Sequence, residues 1–103
     1  MDEALLGTWR RILDGPLGPT VLDLTFYENG RAEHLIGNER LVEGVIYQGN
    51  YTIHGTNIDI TFPADGFWHY WGGYTIGRDN GGHDALTLQC SDGDQVYHRF
   101  SEI

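Results

Sequence analysis

Hydrophobic and polar residues alternate with a period of two along most of the chain. Turn residues interrupt this alternation about every eight to twelve positions, which is the spacing of strands in an all-β barrel or sandwich. Helical periodicity is nearly absent, and only residues 2–6 are expected to form a short turn of helix before the first strand. The pattern therefore predicts an all-β protein made of short strands.

Turn residues divide the chain into eight predicted strands. These cover Gly7–Leu13, Thr20–Tyr27, Arg31–Ile36, Val45–His54, Ile58–Phe62, Phe67–Ile76, Leu86–Cys90 and Gln95–Phe100. Asn29 and Gly30 predict a type I′ hairpin turn, because both residue types tolerate the positive φ that this turn requires. Gly49 lies inside a strand, where glycine often marks a bulge or a bend.

The connections between these strands are short, so each strand is expected to pair with its neighbour in sequence. Eight strands in such a meander leave two exposed edges unless the first strand also pairs with the last. We therefore predict a single domain over residues 1–103, an eight-stranded antiparallel meander closed into a small barrel. At this size the interior either fills with side chains or holds one small ligand.

Charge and cysteine content narrow the classes of partner. Fifteen Asp and Glu residues oppose six Arg residues, and the formal charge of −9 disfavours binding to nucleic acid. No apolar stretch has the roughly 20 residues of a membrane helix, and no membrane association is expected. The single cysteine, Cys90, excludes an internal disulfide, and the first residues are acidic, so we expect a cytoplasmic protein. The negative charge either attracts a basic partner or only maintains solubility.

Two short motifs resemble those of lipocalins and other calycins. Gly7-Thr8-Trp9 resembles the G-x-W motif on their first strand, and Arg99 stands where they place an arginine on the last strand. The resemblance extends to short bacterial lipocalin-like domains through Leu24-Thr25-Phe26, Asn29-Gly30, Tyr51-Thr52-Ile53, Ile58-Asp59-Ile60, Leu86-Thr87-Leu88 and Tyr97. It implies a lipocalin-like barrel in which the Arg99 guanidinium packs across Trp9 and seals one end.

The segment from Phe67 to Tyr74 is unusually rich in aromatic residues. In a strand, Phe67, His69 and Trp71 face one way while Trp68 and Tyr70 face the other. Gly72-Gly73 is expected to form a bulge or a hinge there. Our first hypothesis is that a small apolar or aromatic molecule binds in the barrel mouth. The residues predicted to line the mouth are Tyr47, Tyr51, Phe67, His69 and Trp71. The alternative is that these rings simply fill a small barrel.

Two further functions remain open. One is an acidic protein-binding module or inhibitor that uses the surplus aromatic residues against a basic partner. The other is a cofactor-free isomerase or cyclase, although no catalytic residue is predicted. Cys90 is placed on an apolar strand face, where burial makes a thiol inert.

No metal or cofactor is expected. The five histidines, at positions 34, 54, 69, 83 and 98, lack metal-ligand spacing. The acidic, glycine-rich loops 79–84 and 92–94 lack the order of ligands found in calcium loops and are explained by Asx turns.

Overall fold

The computed structural model describes residues 3–14, 16, 18–38, 45–63, 68–91 and 93–101, without the side chains of Asn38 and Trp68. One 3-10 turn, Glu3–Leu5, precedes eight strands. The strands are β1 Gly7–Leu13, β2 Thr20–Phe26, β3 Arg31–Asn38, β4 Val45–His54, β5 Asn57–Phe62, β6 Trp68–Arg78, β7 Asp84–Leu88 and β8 Gln95–Ser101. Within these ranges no helix has the length and apolar character needed to cross a bilayer.

The strands form a closed antiparallel barrel in sequence order. Each strand pairs with the next, and β8 returns to pair with β1. Closure removes the two edges that an open meander would expose. The predicted fold class, an eight-stranded antiparallel meander closed into a barrel, is confirmed.

Alternation decides which side chains enter the barrel. On β2 the side chains of Leu22, Leu24 and Phe26 point inward, and on β5 the inward set is Ile58, Ile60 and Phe62. Hairpin register aligns such sets, because residues opposite each other in a ladder share one face of the sheet. The inward faces of all eight strands thus meet in one apolar core.

Much of this core is solidly packed. The largest fully buried side chains of the core are Leu5, Trp9, Leu24, Phe26, Ile58, Ile60, Phe62, Leu86, Leu88 and Tyr97. Each of these side chains exposes 2 % of its surface or less. Burying a side chain the size of leucine or phenylalanine contributes roughly 1.5–3 kcal/mol. The barrel is therefore filled over this part of its interior.

The 3-10 turn covers one end of the barrel. Leu5 is fully buried, and its carbonyl oxygen accepts a hydrogen bond from Nε1 of Trp9 at 2.8 Å. This bond satisfies the one polar atom of a buried indole, which would otherwise be costly to desolvate. We call this the closed end; the opposite end, where β1 finishes and β8 begins, is the far end.

Several predicted boundaries differ from the structure. β3 continues through Gly37 to Asn38, because both residues pair with the start of β2. β7 begins earlier than predicted and ends at Leu88, so Cys90 lies beyond the strand, half-buried against the core.

The connection between β2 and β3 also differs from the predicted turn. The Tyr27 amide donates to the Arg31 carbonyl and the Gly30 amide donates to the Tyr27 carbonyl, with Gly30 at φ 82°. The loop therefore contains three residues, 28–30, instead of a two-residue type I′ turn. A three-residue loop of this kind needs positive φ only at its last position, which glycine supplies.

No bulge occurs at the glycines where one was expected. The β3–β4 register passes Gly49 unchanged, and the β5–β6 register passes Gly72 and Gly73 unchanged. Gly49 is instead a point of close approach, since a Cβ built there would lie 2.0 Å from the Thr61 carbonyl oxygen and 2.6 Å from Cδ1 of Phe62. The missing side chain lets Phe62 pack across β4.

Candidate functional site

Two of the predicted binding residues, Tyr47 and Tyr51, point into the barrel from β4. Tyr51 is buried, meets the Phe26 ring edge-on at a centroid distance of 5.1 Å, and donates its hydroxyl to the Tyr27 carbonyl at 2.6 Å. Tyr47 is half-buried and packs against the same core. The Tyr51 ring thus fills the interior.

Two others, His69 and Trp71, point away from the interior on β6. Trp71 is 54 % exposed, and its ring contacts His54 edge-on at 5.3 Å. The His69 Nε2 atom lies 2.7 Å from the Asp59 carboxylate on the outer face. Phe67 lies outside the described residues. The structure therefore places the four described residues on opposite sides of the barrel wall and does not join them in one site.

The orientation of β6 follows from alternation along the complete strand. Tyr70 is buried, and its hydroxyl donates to the carbonyls of Gly73 at 2.6 Å and Gln89 at 2.8 Å. Tyr74 and Ile76 pack against the core with the same parity, whereas Thr75 has the parity of Trp71 and is exposed. Burial raises the pKa of the Tyr70 hydroxyl, which stays protonated as a donor.

The barrel wall opens between its first and last strands. The β1–β8 ladder ends at the pair Arg10 and His98, although β1 continues to Leu13 and β8 begins at Gln95. On their other sides these segments remain paired, residues 11–13 with β2 and residues 95–97 with β7. A gap three residues long thus lies between β1 and β8 on the side of the far end of the barrel.

A groove of about 630 Å³ occupies this gap, and we call it the seam groove. Its lining residues are Arg10, Arg11, Ile12, Leu13, Asp94, Val96, His98, Arg99 and Phe100. Much of its wall is apolar, because Ile12 is 52 % exposed and Phe100 is 55 % exposed, with Leu13 and Val96 exposed beside them. Several apolar side chains that share one concave surface are typical of a binding site.

Arg10 on the outer wall of the seam groove is held by two partners. Its Nε and Nη2 atoms donate to the Asp23 carboxylate at 2.8 and 2.9 Å, and its guanidinium lies 3.6 Å from the centroid of the Phe100 ring. The hydrogen bond to Asp23 raises the pKa of Arg10 above its ordinary value. Arg10 is therefore charge-neutralised, and it fixes the Phe100 ring at the rim of the groove.

Arg11 has the parity of Trp9 and lies on the inner side of the gap. Burial raises the pKa of Tyr97, and the positive charge of Arg11 offsets part of this rise. Among the described residues, no carboxylate lies within ion-pair distance of Arg11. Of the three arginines that line the seam groove, Arg11 is thus the one without an ion pair to a carboxylate of the described residues.

Sequence reasoning did not identify the seam groove. One signal was available, because Arg11 stands at a position that alternation assigns to the interior. A charged residue at such a position indicates an opening or a buried partner. The early end of the β1–β8 ladder has no comparable signal, since it depends on how the closed sheet staggers.

The remaining histidines and acidic loop residues serve local structure. The Asp79 carboxylate accepts the backbone N–H groups of Gly81 and His83, both at 2.9 Å, and lies 3.0 Å from Nδ1 of His98. These bonds form an Asx-type loop. His34 is buried and tilted against the Phe62 ring at 5.3 Å. In the part of the chain that the structure describes, no group of three His, Cys, Asp or Glu residues is arranged to hold a metal.

No protein-family model, curated protein or solved structure matches this chain.

Proposed function

We propose that the chain binds a small apolar or aromatic molecule, and that the binding site is the seam groove. The observation that carries this proposal is the early end of the β1–β8 ladder, which leaves a concave, largely apolar opening in an otherwise closed wall. The resemblance to lipocalin-like barrels supports the same class of function. The solid packing around Phe26, Ile60 and Leu88 favours this groove over the barrel interior.

The apolar wall would supply most of the binding energy. Ile12 and Phe100 are both more than half exposed, and a ligand that covers them removes apolar area from water at roughly 25 cal/mol per Å². Arg10 would hold the Phe100 ring in place before the ligand arrives, which reduces the ordering cost of binding. A molecule with a flat or elongated apolar body fits these features.

The proposal is tested with the neutral fluorescent probe N-phenyl-1-naphthylamine and a matched pair of variants. Ile12 in the groove and Ile46 on the outer face of β4 are 52 % and 55 % exposed. Ile12→Ser should weaken probe binding by about tenfold, which corresponds to about 1.4 kcal/mol. Ile46→Ser should leave it unchanged. Equal affinities of the two variants would contradict the proposed site.

A second candidate function is binding of a protein partner through the outer face around Trp71. Its indole is 54 % exposed on a regular strand, and tryptophan is enriched among the residues that dominate protein interfaces. Asp59 and His69 lie beside it and provide a polar rim. For a partner that binds the wild-type protein, Trp71→Ala should weaken binding by at least tenfold, and an unchanged affinity would reject this surface.

A further inference from the structure

We infer that the ligand of the seam groove carries a single negative charge, and that Arg11 binds this charged group. This inference rests on the proposed function and specifies the chemical class of the ligand. Positive charge is concentrated at this groove in an otherwise acidic protein. The chain has six arginines and no lysine, and three of the six line this groove together with one carboxylate, that of Asp94.

Two of these arginines are already committed to structural roles. Arg10 forms a two-pronged ion pair with Asp23. Arg99 donates to the backbone carbonyls of Leu6 and Ala4 and covers the Trp9 ring. Removing either arginine from its partners to bind a ligand would leave those partners unsatisfied. Neither is therefore the residue that recognises a ligand.

Arg11 differs from both, because it lines the groove and no ion pair ties it to another side chain of the described residues. No carboxylate of the described residues, Asp94 included, lies within ion-pair distance of it. A guanidinium offers two parallel N–H donors that match the oxygen atoms of a carboxylate, sulfonate or phosphate. The seam groove thus combines an available anion-binding group with an apolar wall.

The net charge of the protein limits how much negative charge a ligand can carry. At physiological ionic strength, charges more than about 8 Å away are largely screened, so a nearby arginine outweighs distant acidic residues for one anionic group. A second anionic group would find the other two arginines of the groove already paired with Asp23 and Asp84, and the formal charge of −9 would repel it. The favoured ligand is a monoanion with an aliphatic or aromatic body.

Two probes with the same apolar body separate the charge from the hydrophobic contribution. We compare 8-anilino-1-naphthalenesulfonate with N-phenyl-1-naphthylamine, which lacks the sulfonate, by fluorescence titration. The sulfonate probe should bind wild-type protein about tenfold more tightly, as expected for one charge-assisted hydrogen-bonded contact. Raising the salt concentration should weaken binding of the sulfonate probe and leave the neutral probe unaffected.

Variants then assign the charge contribution to Arg11. Arg11→Gln should abolish the difference in affinity between the two probes, because glutamine carries no positive charge. Arg78→Gln is the matched control, because Arg78 is an exposed arginine on β6 that donates to the Gly82 carbonyl and does not line the groove. Arg11→Lys keeps the charge without the planar fork and should give an intermediate affinity. If Arg11→Gln does not fold, the affinity of Arg11→Lys for the sulfonate probe and the salt titration still test whether Arg11 binds the charged group.

Failure of this inference can be distinguished from failure of the proposed function. The assignment of the charged group to Arg11 is overturned if the two probes bind wild-type protein with equal affinity. It is also overturned if Arg11→Gln leaves the affinity of the sulfonate probe unchanged. The groove still stands in that case, provided that Ile12→Ser weakens the neutral probe. If Ile12→Ser affects neither probe, the site itself is wrong and the inference falls with it.

Discussion

The guanidinium of Arg99 lies 3.9 Å from the centroid of the Trp9 ring, and the two residues face each other across the β1–β8 ladder. Its terminal nitrogens donate to the carbonyls of Leu6 and Ala4. One side chain therefore joins the last strand, the first strand and the 3-10 turn at the closed end. The contact that the G-x-W resemblance implies is present.

Truncation of this pair should destabilise the barrel. Trp9→Ala leaves a cavity at a fully buried position and should cost ~3–5 kcal/mol of unfolding free energy. Arg99→Ala should cost less, since the arginine is not part of the apolar core. Because the two side chains touch, the double variant should lose less than the two single variants together. Chemical denaturation of all four proteins measures this coupling, and strict additivity would mean that the contact carries no energy.

Gly49 should tolerate no side chain. Gly49→Ala places a methyl group 2.0 Å from the Thr61 carbonyl oxygen, so the strands must separate, at a cost of about 3 kcal/mol or more. Gly77→Ala is the control. A Cβ built at Gly77 has no neighbouring atom within 4 Å, so the added methyl group clashes with nothing. Its stability should be unchanged or higher by up to ~1 kcal/mol. Thermal melts of the two variants test the close approach of Gly49 to Thr61. Similar melting temperatures of the two variants would refute it.

Trp71 should contribute little to stability. Its ring is 54 % exposed, whereas Trp9 is fully buried, so the same substitution at the two positions separates surface from core. Trp71→Ala should change the unfolding free energy by less than ~1 kcal/mol. Equilibrium denaturation followed by circular dichroism provides the measurement. A loss as large as that of Trp9→Ala would place Trp71 in a packed environment.

Asp79 should make stability depend on pH in the acidic range. Hydrogen bonds from the His83 backbone amide, then from His98 and the Gly81 amide, hold the pKa of Asp79 below its ordinary value. A carboxylate with a lowered pKa in the folded state stabilises the protein above its unfolded pKa, and this contribution disappears as the pH falls through the folded pKa.

The matching variant is Asp79→Asn, which keeps a hydrogen-bond acceptor but does not titrate. Wild-type protein should have the higher melting temperature near neutral pH, and the difference should shrink between about pH 5 and about pH 2. In addition, His98→Ala should move the pKa of Asp79, measured by NMR, toward the ordinary value. A melting-temperature difference that is constant over this range would argue against the hydrogen-bonded carboxylate.

The positions of most strands could be predicted from the sequence, because turn residues and the alternation of apolar and polar side chains are local features. Val45–His54 was predicted with the bounds that the structure shows, since glycines at positions 44 and 55 flank it and residues 50–54 alternate between polar and apolar side chains. The end of β3 was wrong because Gly37 and Asn38 have weak strand propensity but are paired by Val21 and Thr20. Tertiary pairing there overrides local preference.

The candidate site was less predictable, because it depends on which face of each strand turns inward and on where the closed sheet opens. Alternation places Tyr70 and Trp71 on opposite faces of β6 but does not show which face is inside. Tyr74 and Ile76, which share the parity of Tyr70, pack against the core and therefore identify the inner face. Ile12 and Val96 look like ordinary strand residues, and only the missing rungs between β1 and β8 make them part of a groove.

The pairing of first and last strand also constrains the order of folding. Arg99 and Leu6 are 93 positions apart, whereas every other ladder joins strands that are neighbours in sequence. Hairpins between neighbours close short loops, but the β1–β8 ladder closes nearly the complete chain and carries the largest loop entropy. We expect the seven hairpins to form before the barrel closes, so closure between β1 and β8 is the slow step. The amides of this ladder, among them that of Arg10, should consequently be the last to gain protection from hydrogen exchange during refolding.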